Sequence, residues 1–400
     1  MNMSKQHAPV EIDQAPTDAY RWAILAGHAV VFLYLIQSKV LTILTKDVEP
    51  LCWPYLQSCR RFRFDTPDST IILLFVQALL ILLAANELAA HRHRTFWAIT
   101  VTLNVYLFSI ISLDYRFRLN EYYMLLCLNA VFLFWPKKRW AIPLILVSFY
   151  FWAGTLKFNY EWLSGAALYH DLWLIPQRFD RVACAYVVTL ETIFVWGLLA
   201  RRAWVRWLTL GQFALFHLES ISQVGWFYPL LMATFLSWFV IEWITKASRI
   251  ASLADVWRGR APGSAYVLLG IFSCFQLLPY LYRGDKVLTG QGRIFALHMV
   301  EARQVCDVTA LTHYSDQTST TIDLLLRGLP ARTICDPMVY YDRMTNLCQM
   351  YSADPRFVDA DFIMHVRRTT DAILSTVVDD ARFCSKHEVY RMFSNNTWIR

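Results

Sequence analysis

Between residues 21 and 282 the chain returns repeatedly to mostly apolar runs, and no other feature constrains its fold as tightly. A helix rises about 1.5 Å per residue, so roughly 20 apolar residues cover the ~30 Å hydrocarbon core of a bilayer. Nine runs are expected to be spans: Trp22–Leu44, Thr70–Leu88, Phe96–Leu113, Glu121–Trp135, Ala141–Leu156, Val182–Ala200, Val205–Ile221, Phe227–Ile244 and Pro262–Leu281. The fourth and fifth are short, so they are expected to tilt or to border non-helical backbone shielded by protein. Met1–Tyr20 is polar and lacks the apolar core and cleavage site of a signal peptide, so the first span is expected to be retained.

The expected fold is mainly α. It has a polar tail at 1–20, a polytopic membrane helix bundle at 21–282 and a small extracytoplasmic α+β domain at 283–400. Only 17% of the residues are charged, against about 25% in soluble proteins. The net charge of +7 does not indicate nucleic acid, because the basic residues fall in short loops beside apolar runs.

Those loops set an orientation. His91-Arg92-His93-Arg94, Lys137-Lys138-Arg139, Arg201-Arg202 with Arg206, and Lys246, Arg249, Arg258 and Arg260 all fall on one side of a nine-span chain. Basic short loops stay cytoplasmic, so the N-terminus is expected inside and residues 283–400 outside. Arg60, Arg61 and Arg63 dissent, since they lie in the first outer loop. Cysteines agree with the majority. Cys127, Cys184 and Cys274 lie inside spans, whereas Cys52, Cys59, Cys306, Cys335, Cys348 and Cys384 all fall on the outer side. An oxidising compartment allows these six up to three bridges, although free thiols remain an alternative.

In the C-terminal region, Val305–Thr312 and Thr320–Arg327 read as a hairpin around the turn-rich His313–Ser319. Pro337–Tyr351 has helical spacing and Asp361–Val366 reads as a strand, while Phe383–Arg400 is weakly patterned.

Polar groups at membrane depth are expensive and mark functional candidates. Lys157 closes the apolar stretch Phe149–Leu156 and precedes Asn159, Glu161 and Trp162. A desolvated lysine gives up its proton more readily and can serve as a base. The plainer readings are a lysine snorkelling to the outer interface or paired with Glu161. His217 and Glu219 lie deep in the seventh span, but two residues apart on a helix they need not form a pair. Glu191, Asn120, Glu121 and His28 are further candidates, with helix–helix hydrogen bonding as the ordinary explanation. No GxxxxGK[ST], GxGxxG after a strand, HExxH or GxSxG motif occurs, and no CxxC pair suggests zinc. No metal and no biotin are expected.

Ala153-Gly154-Thr155-Leu156-Lys157-Phe158-Asn159-Tyr160-Glu161-Trp162-Leu163-Ser164-Gly165 resembles the signature of the vitamin K-dependent γ-glutamyl carboxylase family, also called the horizontally transferred transmembrane domain (HTTM) family. Phe216-His217 followed by Gly225-Trp226-Phe227 resembles its second intramembrane motif. Asn120-Glu121-Tyr122-Tyr123 resembles a third, with Glu121 where the family has His. Gly292–Ala302 resembles the segment leading into the family's lumenal domain. Tyr341–Tyr351 and Leu51-Cys52-Trp53-Pro54 resemble a helix and a loop joined by a disulfide, which implies a Cys52–Cys348 bridge.

The resemblance implies a membrane enzyme that uses a vitamin K-type hydroquinone, O2 and CO2. Lys157 would deprotonate the hydroquinone, oxygen would convert it to a strong alkoxide base, and a glutamate γ-carbanion in an extracytoplasmic peptide would capture CO2. Lys157 and His217 would be catalytic. Asn120, Glu121, Trp162 and Glu219 would contact substrate or quinone. The alternatives are a non-enzymatic lipid- or quinone-binding protein that helps a secreted peptide mature or leave the cell, and an ion-coupled transporter using Glu191, Glu219 and His217. Membrane lipid is a partner in every reading, and nucleic acid in none.

Overall fold

A computed structural model describes residues 18–245, 252–293, 296–297, 303–326, 329, 333–386 and 388–400. Most of the expected N-terminal tail, the loop residues Lys246 and Arg249, Arg327 and much of Gly292–Ala302 lie outside these residues.

The apolar runs are helices. In chain order they are α1 (Asp18–Ser38), α2 (Thr70–Ala89), α3 (His93–Leu113), α4 (Asn120–Phe134), α5 (Lys138–Leu156), the short α6 (Tyr160–Leu163), α7 (Asp180–Thr192), α8 (Ala203–Val224), α9 (Phe227–Ile244), the short α10 (Leu253–Trp257) and α11 (Gly263–Leu277). Among the described residues, seven helical segments are long and apolar enough to cross a membrane, and the protein is a multi-pass membrane protein on that ground. α4 is shorter than these seven. α8 is 22 residues long but carries Arg206, Gln212, His217, Glu219 and Gln223, which lower its hydropathy. The first expected span is also shorter than read. Lys39 takes a left-handed backbone (φ 51°), so α1 stops at Ser38 and Val40–Leu44 is a separate 3-10 turn.

The bundle core is built from large side chains of α1, α4, α5 and α9, among them Tyr20, Tyr122, Phe149, Phe235 and Phe239. One polar cluster lies within it. His28 and Asn129 are fully buried. Asn129 Nδ2 lies 3.0 Å from His28 Nε2 and also donates to Asn104 Oδ1 at 3.0 Å, tying α1, α3 and α4 together.

The C-terminal region forms α12 (Lys286–Thr289), β1 (Gln304–Tyr314), β2 (Ser319–Asp323), α13 (Pro337–Tyr351), β3 (Phe357–Arg368), β4 (Ser375–Asp380) and α14 (Phe383–Lys386). The strands form one antiparallel sheet in the order β2-β1-β3-β4. Alternate residues of β1 and β3, such as Val308, Ala310, Phe362, Met364 and Val366, face the buried side, where α13 supplies Val339, Tyr340 and Met344. The hairpin, the helix and the third strand fall where the sequence places them. β4 was not anticipated, and Trp398 and Ile399, from the weakly patterned tail, are buried in this core.

The loop after α1 packs into the same core through Leu51 and Trp53, so it shares an end of the molecule with the α+β domain. Two of the three dissenting arginines are paired at this end, while Arg61 is exposed. Arg60 pairs with Asp342 of α13 at 2.9 Å and Arg63 pairs with buried Asp114 at 2.9 Å, so both charges are neutralised inside the fold. Burial pushes the Asp342 carboxyl up to about 6, against the pull of Arg60.

The implied Cys52–Cys348 bridge is corrected. Cys52 pairs with Cys59, Cys306 with Cys335 and Cys348 with Cys384. The loop and helix do meet, but through the Cys52 N–H donating to Asp342 at 3.2 Å. Cys348 lies six residues further along α13, about 9 Å up the axis and on another face, where it meets the start of α14. The cysteines inside the bundle, Cys127, Cys184 and Cys274, are free.

Candidate functional site

The lysine motif is a sharp corner. α5 ends at Leu156, and Lys157 caps it with an N–H bonded back to Ala153 and Gly154. Asn159 then caps α6 by accepting from the Trp162 N–H at 2.9 Å, while its own amide donates to Leu156 at 3.1 Å. This turns Trp162 back under the lysine. The Trp162 indole donates to the Cys184 carbonyl of α7 at 3.0 Å, and its ring lies 5.3 Å from Lys157 Nζ. Phe216 of α8 lies 5.4 Å from the same nitrogen.

Lys157 is buried, and both carboxylate oxygens of Glu191 on α7 lie 2.5 Å from its Nζ. Neither snorkelling nor pairing with Glu161 describes it. Gly154 makes this possible, because a Cβ there would sit 2.6 Å from Glu191 Cβ, so only glycine lets α5 and α7 close to this distance. Glu191, a candidate from sequence with helix–helix hydrogen bonding as its ordinary explanation, is the counter-charge of Lys157, a pairing that the sequence reading does not contain. The available signal was physical: an ammonium buried beside an apolar run needs a counter-charge.

His217 is buried on α8 and faces inward. Its Nε2 lies 2.7 Å from the Tyr150 hydroxyl, and its Nδ1 has no hydrogen-bond partner among the described residues. Glu219 does not stand free either. Its carboxylate accepts the Leu174 N–H at 3.1 and 3.2 Å. One turn on, Gln223 accepts the N–H groups of Tyr169 and His170 at 2.9 and 3.2 Å and donates to the His170 carbonyl at 2.6 Å. These two residues hold the segment 169–174 against α8.

The α+β domain holds the other edge of that segment. Arg303, just before β1, donates to the Leu168 carbonyl at 2.5 Å and lies over the Tyr169 ring at 4.5 Å. Arg368, at the end of β3, sits 3.4 Å from Glu161 and also reaches Asp285 and Asp371. Burial pushes the Glu161 carboxyl up to about 7, with Arg368 pulling the other way. Gln223 and Arg303 were not singled out from sequence. A glutamine near a helix end and a lone arginine carry no local signature.

These elements enclose a cavity of about 350 Å³. Glu121, Lys157, Trp162, Glu219, Gln212 and Gln223 supply its polar wall, and the rest is mainly aliphatic and aromatic. Of the expected site residues, Lys157, Glu121, Trp162 and Glu219 therefore share one cavity. Asn120 starts α4, half-buried, and His217 lies behind Phe216; neither is part of the wall. Among the described residues, one group could hold a metal ion: Asp18, His91 and His93. It sits where α2 turns into α3, the two histidines are exposed, and Asp18 already carries Arg21 at 2.5 Å.

Comparison of the whole chain with protein-family models, with curated proteins and with solved structures finds no match. The likeness to the carboxylase family rests on the motifs within the chain itself.

Proposed function

We propose that the protein is a carboxylase-like membrane enzyme that takes a vitamin K-type hydroquinone into this cavity, with Lys157 as its base. The observation that carries the reading is a buried amine at the wall of an apolar cavity, with a carboxylate in contact behind it. The cavity fits such a group: its volume and apolar lining suit a fused aromatic ring, and Glu121 Oε2 lacks a partner among the described residues. When bound, the hydroquinone would supply, with O2, the strong base that removes a glutamate γ-proton.

The chain's own residues do the rest. Lys157 Nζ donates to both carboxylate oxygens of Glu191. Transfer of one Nζ proton to Glu191 would leave an amine whose lone pair, once turned from the new carboxylic acid to the cavity, takes a proton from a ligand hydroxyl. Trp162 and Phe216 shield that nitrogen from water. Glu219, Gln223 and Arg303 hold segment 168–174 in place and keep the cavity closed on that side. The α+β domain adjoining this segment would receive the peptide.

The reading includes the nine-span topology, with α4 and α8 as the two less apolar spans, the N-terminus in the cytoplasm and the α+β domain outside. The shared end of the first loop and the α+β domain supports it, as do the six paired cysteines found there.

Purified Lys157→Ala protein is expected to lose hydroquinone-dependent oxygenation and incorporation of labelled CO2 into glutamyl peptides. Full oxygenation by that variant overturns the reading. The grip of Glu191 on Lys157 favours a second reading, in which the pair is structural and the protein binds a quinone or lipid without chemistry while assisting a secreted peptide. Quinone binding by the wild-type protein without any CO2 incorporation would select it.

A further inference from the structure

The cavity wall holds acidic and amide side chains in two conditions. Glu219, Gln223 and Gln212 are engaged: Glu219 and Gln223 hold backbone groups of segment 169–174, and Gln212 accepts from the Tyr186 hydroxyl at 2.5 Å. Lys157 is held by Glu191. Glu121 differs. It is 8% exposed, it lines the cavity, and its Oε2 has no hydrogen-bond partner among the described residues. It lies in the first turn of α4, where aligned backbone dipoles favour a negative charge. In its ionised form a carboxyl only accepts hydrogen bonds, and a buried oxygen without a donor is costly. A ligand hydroxyl, met by a turn of the Glu121 carboxyl toward the cavity it lines, would relieve that cost. A ligand carbonyl, itself only an acceptor, sets two lone-pair-bearing oxygens against each other.

We infer that Glu121 makes the cavity selective for redox state: it binds a hydroquinone through a phenolic O–H and rejects the corresponding quinone. The inference rests on the proposed quinol site and adds to it a specificity-determining residue. While it holds its proton, Lys157 does not impose this preference, because an ammonium only donates and can bond either a phenolic oxygen or a carbonyl. The same preference releases a product that has lost its hydroxyls.

The test is anaerobic binding of 2-methyl-1,4-naphthoquinone and of its hydroquinone to the full-length protein in lipid nanodiscs, together with the midpoint potential of the bound couple. The wild-type protein is expected to bind the hydroquinone at least about tenfold more tightly, which moves the bound two-electron couple about 30 mV more positive than the free one. In Glu121→Gln, whose amide both donates and accepts, the ratio is expected to fall to within about twofold of unity. Equal affinities in the wild-type protein, or an unchanged ratio in Glu121→Gln, overturn the inference and leave the quinol site standing. Binding of neither form to the wild-type protein overturns both. The wild-type ratio and potential need no variant, so a misfolded Glu121→Gln protein does not remove the test.

Discussion

His28, Asn104 and Asn129 meet in the packed middle of the bundle, whereas Lys157 and Glu191 meet beside a cavity. Both clusters are buried polar groups within the helical bundle. The first is formally neutral, joins three helices and borders packed hydrocarbon side chains. The second is an ion pair that joins two helices, flanked by two aromatic rings and open to a space that can take a ligand. Burial of a polar group is therefore not by itself a sign of chemistry. Access to an unfilled space and a partner that can exchange a proton separate the two.

The comparison breaks or sharpens under substitution. The largest effect is expected from Lys157→Met, which leaves Glu191 buried and unpaired. Losing one partner of such a pair costs about 3–5 kcal/mol, read as a fall in thermal midpoint in detergent. Adding Glu191→Leu should restore most of that stability without restoring quinol binding, which separates the structural part of the pair from the chemical part. A single substitution without cost would show that the ion pair is not buried.

Gly154→Ala forces a methyl group against Glu191 and is expected to cost about 1–3 kcal/mol through overpacking. It should weaken quinol binding by moving α7 away from Lys157, and titration of the purified variant checks this. Asn129→Leu should cost only about 1 kcal/mol and leave ligand affinity unchanged. If it alters affinity as much as Gly154→Ala does, the two clusters are not functionally distinct.

The smallest effect belongs to Glu161. Its carboxyl is raised from 4.5 to about 7, so the folded state holds a proton that the unfolded chain has lost between those values. Stability from this group is present below its ordinary value and is lost as pH rises through about 7. Glu161→Gln should flatten that slope, measured as thermal midpoint against pH.

Much of the fold was legible because the bilayer reduces it to length and apolarity. The helix Pro337–Tyr351 and the β1–β2 hairpin were equally plain, from period and turn chemistry. What escaped was long-range. Glu191 is separated from Lys157 by 34 residues, and no local pattern couples them. The disulfide partners went the same way, because Cys52 and Cys348 belong to segments that do touch but present their sulfurs to different neighbours. β4 was obscured because its flanks carry no alternation, with Ser375 and Thr376 exposed and Asp379 and Asp380 closing it. The candidate site was half legible: its lysine, tryptophan and two glutamates could be named, but the roles of Glu219 as a backbone clamp and of His217 as a partner of Tyr150 could not.

Gln304 and Arg368 are opposite each other across the β1–β3 ladder, so Arg303 and Arg368 leave the sheet from a single corner. One grips the main chain at Leu168 and the other the carboxylate of Glu161, on either side of the tight bend between them. The sheet is thus pinned to the rim of the chamber at two points. Any displacement of that corner of the sheet would be carried to the rim through these two anchors.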